Sequence, residues 1–335
     1  MDNLTHSLTG VLLARAGLNR LVPRATVLAV IAANLPDLDI VTGLRGWLCY
    51  LANHRGFSHA LFWLPLVALA PLPLWWLLAR SQGVRPLDWL KAYLVSAVAL
   101  FSHLMLDWMN VYGIRLKLPF SGEWLHLDLL NIVDVWVWAI LLLCALGPLL
   151  GRLVESEMGA RRGAGRGMAV AGLLLVALYI GGRAQLHDQA VRALEARMYR
   201  HEMPRRVLAL PGAFNPWQWT GVVETSSAWH VVPLDLHREF DPESGRTFPK
   251  LDTTPVRAAV LATETARVFL DFSQAPLWRI TPTPSPEGAV SVTIHDLRFG
   301  VPGDNAFTAE WIVDAQGRVV REGFDFGRMG KAGKP

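Results

Sequence analysis

Seven side chains near the start of the chain have the types and spacing to hold metal ions: His6, Asp37, Asp39, His54, His59, His103 and Asp107. His103 and Asp107 are four apart on an expected helix, so both project from one face and can chelate one ion. The plainer alternative for that pair is a buried His–Asp hydrogen bond between two helices. Asp37 and Asp39 follow Pro36 at a helix end, where a solvated loop would explain either alone; as a pair they suit bridging of two cations. His54 and His59 are five apart, too far round a helix to share a face. Gly56 between them places His54 in a loop and His59 on the following turn. His6 by itself reads as an interfacial histidine. As a set, four histidines and three aspartates match Zn²⁺ or a mixed dinuclear site, with Mn²⁺ as the alternative metal. They exceed the four ligands of a tetrahedral ion, so two ions are expected. Such a pair activates a water and clamps the oxygens of a phosphodiester during in-line attack. Arg55 and Asp39 are the catalytic candidates, Arg55 as the group that stabilises an anionic substrate or transition state. Anchoring at lipid headgroups is the alternative role for Arg55. Asp2 and Asp134 are outer candidates, Asp134 as ligand, orienting group or helix cap.

The elements that must position these residues read as membrane helices. Phe57 to Ala79 carries no Asp, Glu, Lys or Arg, and a bilayer core needs about 20 apolar residues as helix. Six helices are expected: Leu4 to Leu18, capped by Asn3 or Thr5; Ala25 to Leu35, stopped by Pro36; Phe57 to Ala79, kinked at Pro65, Pro71 and Pro73; Leu87 to Met109; Val135 to Leu150; and Met168 to Gly182. The first two are near the lower length limit for crossing hydrocarbon and could be re-entrant. Arg20 and Arg24, then Arg80, Arg85 and Lys91, then Arg152, Arg161, Arg162 and Arg166 fall in alternate connections. By the positive-inside rule these connections are cytoplasmic, which puts every candidate ligand at the opposite, extracytoplasmic face. A short flexible basic linker is expected at 159–167.

Bulk composition agrees with a membrane protein. Of 335 residues, 52% are hydrophobic and 18% charged, with 14 Trp. The formal charge of +4 is modest and sits in short loops as topology determinants do, so no nucleic-acid partner is expected. The two cysteines, Cys49 and Cys144, form no disulfide framework. Met1-Asp2-Asn3 lacks the basic start of a cleavable signal peptide, which leaves targeting to the helices. From residue 187 onward the pattern changes to frequent Pro and alternating apolar residues. The expected architecture is therefore a mainly α membrane domain over 1–186 and a small antiparallel β-rich extracytoplasmic domain over 187–335. Strands are expected at Arg267 to Phe272, Ala289 to His295 and Ala306 to Val313, with a hairpin turn at Asp314 to Gly317.

Four segments carry a resemblance: MDNLTHSLTGVLLARAG at 1–17, AANLPDLD at 32–39, HRGFSHAL at 54–61 and SHLMLDWMNVYG at 102–113. In that order they resemble a bacterial inner-membrane family of metal-dependent hydrolases, described as LexA-regulated and membrane-bound. Ser58 and Ala60 depart from the family pattern, where Thr and Ser are commoner. More remotely the set is similar to the α-helical zinc-dependent phospholipase C group. The resemblance implies a bacterial inner-membrane location, phosphoester hydrolysis, a divalent metal, a membrane-lipid partner or lipid-like substrate, and His6, Asp37, Asp39, His54, His59, His103 and Asp107 as the metal-site positions.

Three functions compete at this point. The first is a membrane metallohydrolase acting at the outer face. The second is a non-enzymatic protein with a structural or transported metal; transport would need polar groups through the bilayer, of which helices three, five and six offer almost none in their interiors. The third is a scaffold working through the β-rich domain, with Trp217, Trp219 and Trp229 as a ligand surface or, more ordinarily, as core. His295-Asp296 reads as strand-and-turn polarity.

Overall fold

In the computed structural model, which describes residues 1–158, 165–252, 254–304 and 307–325, the first helix starts on Asp2. Its carboxylate accepts from the backbone N–H groups of Leu4 and Thr5, so Asp2 is the cap, in place of the expected Asn3 or Thr5. Helix α1 (Asn3–Ala16) returns through α2 (Ala25–Asn34). The two approach so closely at Gly10 that a Cβ there would lie 3.0 Å from the Ala29 carbonyl oxygen. Small residues permit this in membrane helices, where dispersion rather than water exclusion drives association. Ala25, Ala29, Ala32 and Ala33 continue the same seam and are fully or almost fully buried.

A tight 3₁₀ segment, Pro36–Arg45, follows α2, and α3 (Trp47–Asn53) follows that. The apolar stretch after His59 is not one helix. It is built from short 3₁₀ turns at Phe57–His59 and Leu61–Trp63, then α4 (Leu64–Val67) and α5 (Leu72–Ala79). Pro65, Pro71 and Pro73 lack the N–H that an unbroken helix would use, which accounts for the breaks. Next come α6 (Pro86–Trp108), α7 (Val135–Met158) and α8 (Arg166–Glu195).

Three stretches are long and apolar enough to cross a membrane: Leu61–Gln82, Pro86–Trp108 and Arg166–Glu195. A fourth arises if α2 and Pro36–Arg45, bent by 44°, count as one span. Six full spans are not confirmed among the described residues. Helix α1 has 14 residues and α2 has 10, too few at about 1.5 Å each for a hydrocarbon core of about 30 Å. The apolar part of α7, Val135–Pro148, is also short. Of the expected basic linker, 159–164 lie outside the described residues, whereas Arg166 and Gly167 already belong to α8.

The chain divides into two compact units, and the division does not follow one cut. The first comprises Met1–Val41, Asn53–His187 and Pro211–Pro216; the second takes Thr42–Ala52, Asp188–Leu210 and the chain from Trp217. In the second unit, β1 (Arg206–Pro211), β2 (Gln218–Glu224), β3 (Ala228–Asp235) and β4 (Arg246–Pro249) form one sheet in sequence order. Helices α9 (Pro255–Leu261) and α10 (Glu264–Phe272) precede the second sheet. That sheet is β5 (Pro276–Pro282), β6 (Val290–Asp296), β7 (Thr308–Val313) and β8 (Val319–Asp325), again in sequence order, with antiparallel neighbours.

The strand expected at Arg267 to Phe272 is helix α10. Thr263 caps it by accepting from the Ala266 N–H, and Thr265, Ala266, Val268, Phe269 and Phe272 form its buried face. Trp219 and Trp229 are core residues and Trp217 is exposed. Asp296 is more than turn polarity: it pairs with Arg298 at 2.7 Å, both side chains fully buried.

Candidate metal centre

Four side chains converge at one end of the first unit: Asp37, His59, His103 and Asp107. Each comes from a different local device. Asp37 projects from the 3₁₀ segment that Pro36 starts. His59 ends the turn after Gly56, where a Cβ would lie 2.8 Å from the Asn53 carbonyl oxygen. His103 and Asp107 lie one turn apart near the end of α6.

Hydrogen bonds behind the two imidazoles fix which nitrogens face the centre. His103 Nδ1 is 2.7 Å from the Ala33 carbonyl oxygen, which can only accept, so Nδ1 carries the proton. His59 Nδ1 is 3.0 Å from Ser58 Oγ, and that hydroxyl donates to Asp39 Oδ2 at 3.0 Å. The Ser58 oxygen is thereby left to accept from Nδ1–H. In both neutral rings Nε2 then presents a lone pair. The two Nε2 atoms face each other at 3.1 Å with no proton to share.

Burial holds the His59 imidazole well below its usual pKa; Asp39 opposes that shift and Arg55 adds to it. A neutral ring is the form that binds metal.

The distances match a cation at the middle. Asp107 Oδ2 is 3.3 Å from each Nε2. Asp37 Oδ1 is 3.6 Å from His59 Nε2 and 3.7 Å from His103 Nε2. Ligands at about 2.0–2.2 Å from a tetrahedral ion are separated by about 3.3–3.6 Å. Asp37 Oδ2 and Asp107 Oδ2 are buried without hydrogen-bond partners. Buried carboxylate oxygens are costly to leave unpaired, and a cation satisfies them. The donor set therefore fits a divalent metal.

The other expected residues surround these four. His6 stacks on His103 with ring centroids 3.8 Å apart, and its Nε2 is 3.4 Å from Asp107 Oδ1. Both His6 ring nitrogens are buried without a hydrogen-bond partner. Asp39 stands behind the ligands, accepting from the Arg55 backbone N–H at 2.8 Å and facing His54 Nδ1 at 2.7 Å. His54 is thus held by Asp39, and its ring meets that of Tyr112 at 75° with centroids 5.5 Å apart. Arg55 adopts a left-handed backbone (φ 53°), lies over the Tyr112 ring and brings Nη2 to 3.3 Å from Asp107 Oδ1. The Met1 amino group also meets Asp107. Asp2 and Asp134 both cap helices, α1 and α7, and Asp134 in addition accepts from the Tyr179 hydroxyl.

Asn110 escaped the sequence reading. It is fully buried, donates from Nδ2 to Asp107 Oδ1 at 3.2 Å, and accepts on Oδ1 from the Tyr112 N–H and from Arg55 Nη1. Its only signal in sequence is its place three residues after Asp107.

A family model described as YdjM inner membrane protein matches residues 1–190. The chain is also similar to a Bacillus subtilis (strain 168) protein described as uncharacterized protein YfhP, at 26% identity over 333 residues, covering 92% of this chain and 90% of that one. No solved structure matches. None of these comparisons supports the remote likeness to the zinc-dependent phospholipase C group.

Proposed function

Because the chain belongs to the YdjM inner membrane protein family, we propose that it is an integral-membrane metal-dependent hydrolase that cleaves a phosphoester at the extracytoplasmic face. The observation that carries this reading is the pair of lone-pair-bearing Nε2 atoms of His59 and His103, 3.1 Å apart and edged by two aspartates. Asp37, His59, His103 and Asp107 would hold the metal, with Zn²⁺ favoured by the histidines and Mn²⁺ as the alternative. His6, stacked on His103 with both ring nitrogens buried and without a hydrogen-bond partner, is the donor available to a second ion. When bound, the metal would supply Lewis-acid polarisation and a water of lowered pKa.

The remaining roles belong to the chain. Arg55 directs a guanidinium toward the Asp107 end of the site, where it opposes the negative charge that builds on a phosphoryl group. Asp39, through Ser58, keeps the His59 proton on Nδ1 and so keeps Nε2 aimed inward. In the net reaction the water oxygen bonds to phosphorus, the P–O ester bond breaks, and the leaving alkoxide takes up the proton that the water gives up.

A second reading has its own support. Four protein ligands complete a tetrahedral ion, and closed sites are typically structural. The two readings part in one experiment on detergent-purified protein, wild type against His103→Ala and Asp107→Ala, by elemental analysis and by hydrolysis of bis(p-nitrophenyl) phosphate. The hydrolase reading expects bound metal and chelator-sensitive turnover in the wild type, both lost in the variants while membrane insertion persists. Bound metal with no turnover of phosphoesters, and unfolding on chelation, would establish the structural role instead.

A further inference from the structure

Two residues beyond His59, an apolar cleft of ≈ 440 Å³ opens between the start of the Leu61–Gln82 stretch and the loop after α6. Leu61, Phe62, Leu116, Leu118 and Phe120 line it, and Lys117 and Ser121 complete the wall. The volume falls in the range of about 300–1,000 Å³ found for small-molecule sites. Its two walls are tied to the metal centre through the backbone. Arg115 N–H donates to the Arg55 carbonyl at 3.1 Å and Leu61 N–H to the Leu116 carbonyl at 3.0 Å. Two residues of chain reach at most about 7 Å, so the Leu61 wall of the cleft and the His59 backbone are neighbours.

Phe120 is 79% exposed on a loop whose other residues include Lys117, Ser121, Gly122 and Glu123. It meets Phe62, also exposed, edge-on at 5.3 Å. A water-facing loop rarely holds an aromatic ring out in this way, whereas a loop at a bilayer boundary does. The opposite wall is the first turn of a span candidate, which continues with exposed Leu66 and Leu69. Hydrocarbon is therefore the medium at the cleft. Lys117 stands on the rim in an exposed ion pair with Glu123, a pairing worth so little that an anionic headgroup can displace it.

We propose that this cleft binds an acyl chain of a membrane glycerophospholipid, placing the lipid phosphate at the metal centre. The proposal rests on the hydrolase reading for what happens to the lipid, though not for its binding. In a glycerophospholipid the phosphate is separated from the chains by one glycerol unit, which suits a chain cleft whose wall begins two residues after a histidine of the metal centre. The lipid enters sideways from the membrane with its chain between Phe62 and Phe120.

The test uses full-length protein in nanodiscs containing phosphatidylglycerol with a diazirine in the acyl chain, photolysed and mapped by peptide mass spectrometry. Label is expected to concentrate on peptides carrying Leu61, Phe62 and Leu116 to Phe120, over the lipid-facing residues Leu66, Leu69 and Leu74. Phe120→Ser, an exposed position that leaves folding intact, should lower that label several-fold. Even labelling round the lipid-facing surface, or label unchanged in Phe120→Ser, would overturn the proposal. Labelling in Asp107→Ala separates it from the hydrolase reading, because chain binding should persist there while turnover is lost. If phosphoester turnover is found, the ratio of dioleoyl- to dihexanoyl-phosphatidylglycerol cleavage should fall about tenfold in Phe120→Ser, since remote binding energy is used at the reacting centre. An unchanged ratio would also count against it.

Discussion

Asn110 binds Asp107 through Nδ2 while its Oδ1 accepts from Tyr112 N–H, Gly113 N–H and Arg55 Nη1, so one amide joins a ligand to the loop that follows α6. Groups behind metal ligands set their direction, and losing one costs about 10–100-fold in metal affinity. Asn110→Ala is expected to weaken the metal by that factor. It should also destabilise the protein by about 1–3 kcal/mol, because buried N–H groups lose their acceptor. Competition with a chromophoric chelator and thermal unfolding in detergent measure the two effects. Unaltered affinity would mean that Asp107 is oriented by something else. His103 and Asp107 were legible from their spacing alone, since a helix puts residues four apart on one face. Asn110 was not legible, because half of its partners are backbone N–H groups in a turn that no residue type announces. The placement of Asp39 behind His59 was likewise hidden: Ser58 is the intermediary, and a serine beside a histidine carries no distinctive signal.

At the scale of elements, the centre depends on how closely α1 and α2 pack, because α1 carries His6 and the end of α2 supplies the Ala33 carbonyl that anchors His103. Gly10→Ala would put a Cβ 3.0 Å from the Ala29 carbonyl oxygen and 3.2 Å from the Val30 Cα, and both are backbone atoms that cannot swing away. The helices must part, at an overpacking cost of about 1–3 kcal/mol, and metal affinity should fall with stability. Gly181→Ala in α8, where nothing lies within 4 Å of the added Cβ, should leave both at wild-type levels. Equal effects from the two variants, read by thermal unfolding and chelator competition, would remove Gly10 from this role. The apolar runs were readable as membrane helices, and Pro65, Pro71 and Pro73 announced kinks in the third, but not that it divides into separate short turns and helices. Helix α10 was misread as a strand because Val268, Phe269 and Leu270 are consecutive apolar residues that fit either period. The cap at Thr263 and the acidic first turn at Glu264 were the signals that decided it.

For the whole molecule, the helices of the first unit all place the centre at one end. His6 lies at the start of α1, Ala33 at the end of α2, His59 just before Leu61–Gln82, and His103 and Asp107 at the end of Pro86–Trp108. At the other ends stand Arg80, Arg85 and Lys91, and Arg166, whose Nε donates to the Ala16 carbonyl at the end of α1. Arg161 and Arg162 lie outside the described residues, and the charge asymmetry stands without them. Positive charge flanking short loops marks the cytoplasmic side, so the centre is expected outside and α8, running away from Arg166, is expected to end outside as well. This orientation can be read by cysteine accessibility in a Cys49→Ala/Cys144→Ala background. Ser81→Cys, exposed in the last turn of the Leu61–Gln82 stretch, should react with a membrane-impermeant maleimide only after permeabilisation. Gln316→Cys, exposed in the turn between β7 and β8, should react in intact spheroplasts. Reaction of both from the same side would mean that one of α6, α7 and α8 fails to cross, and reversed accessibility would put the metal centre on the cytoplasmic side.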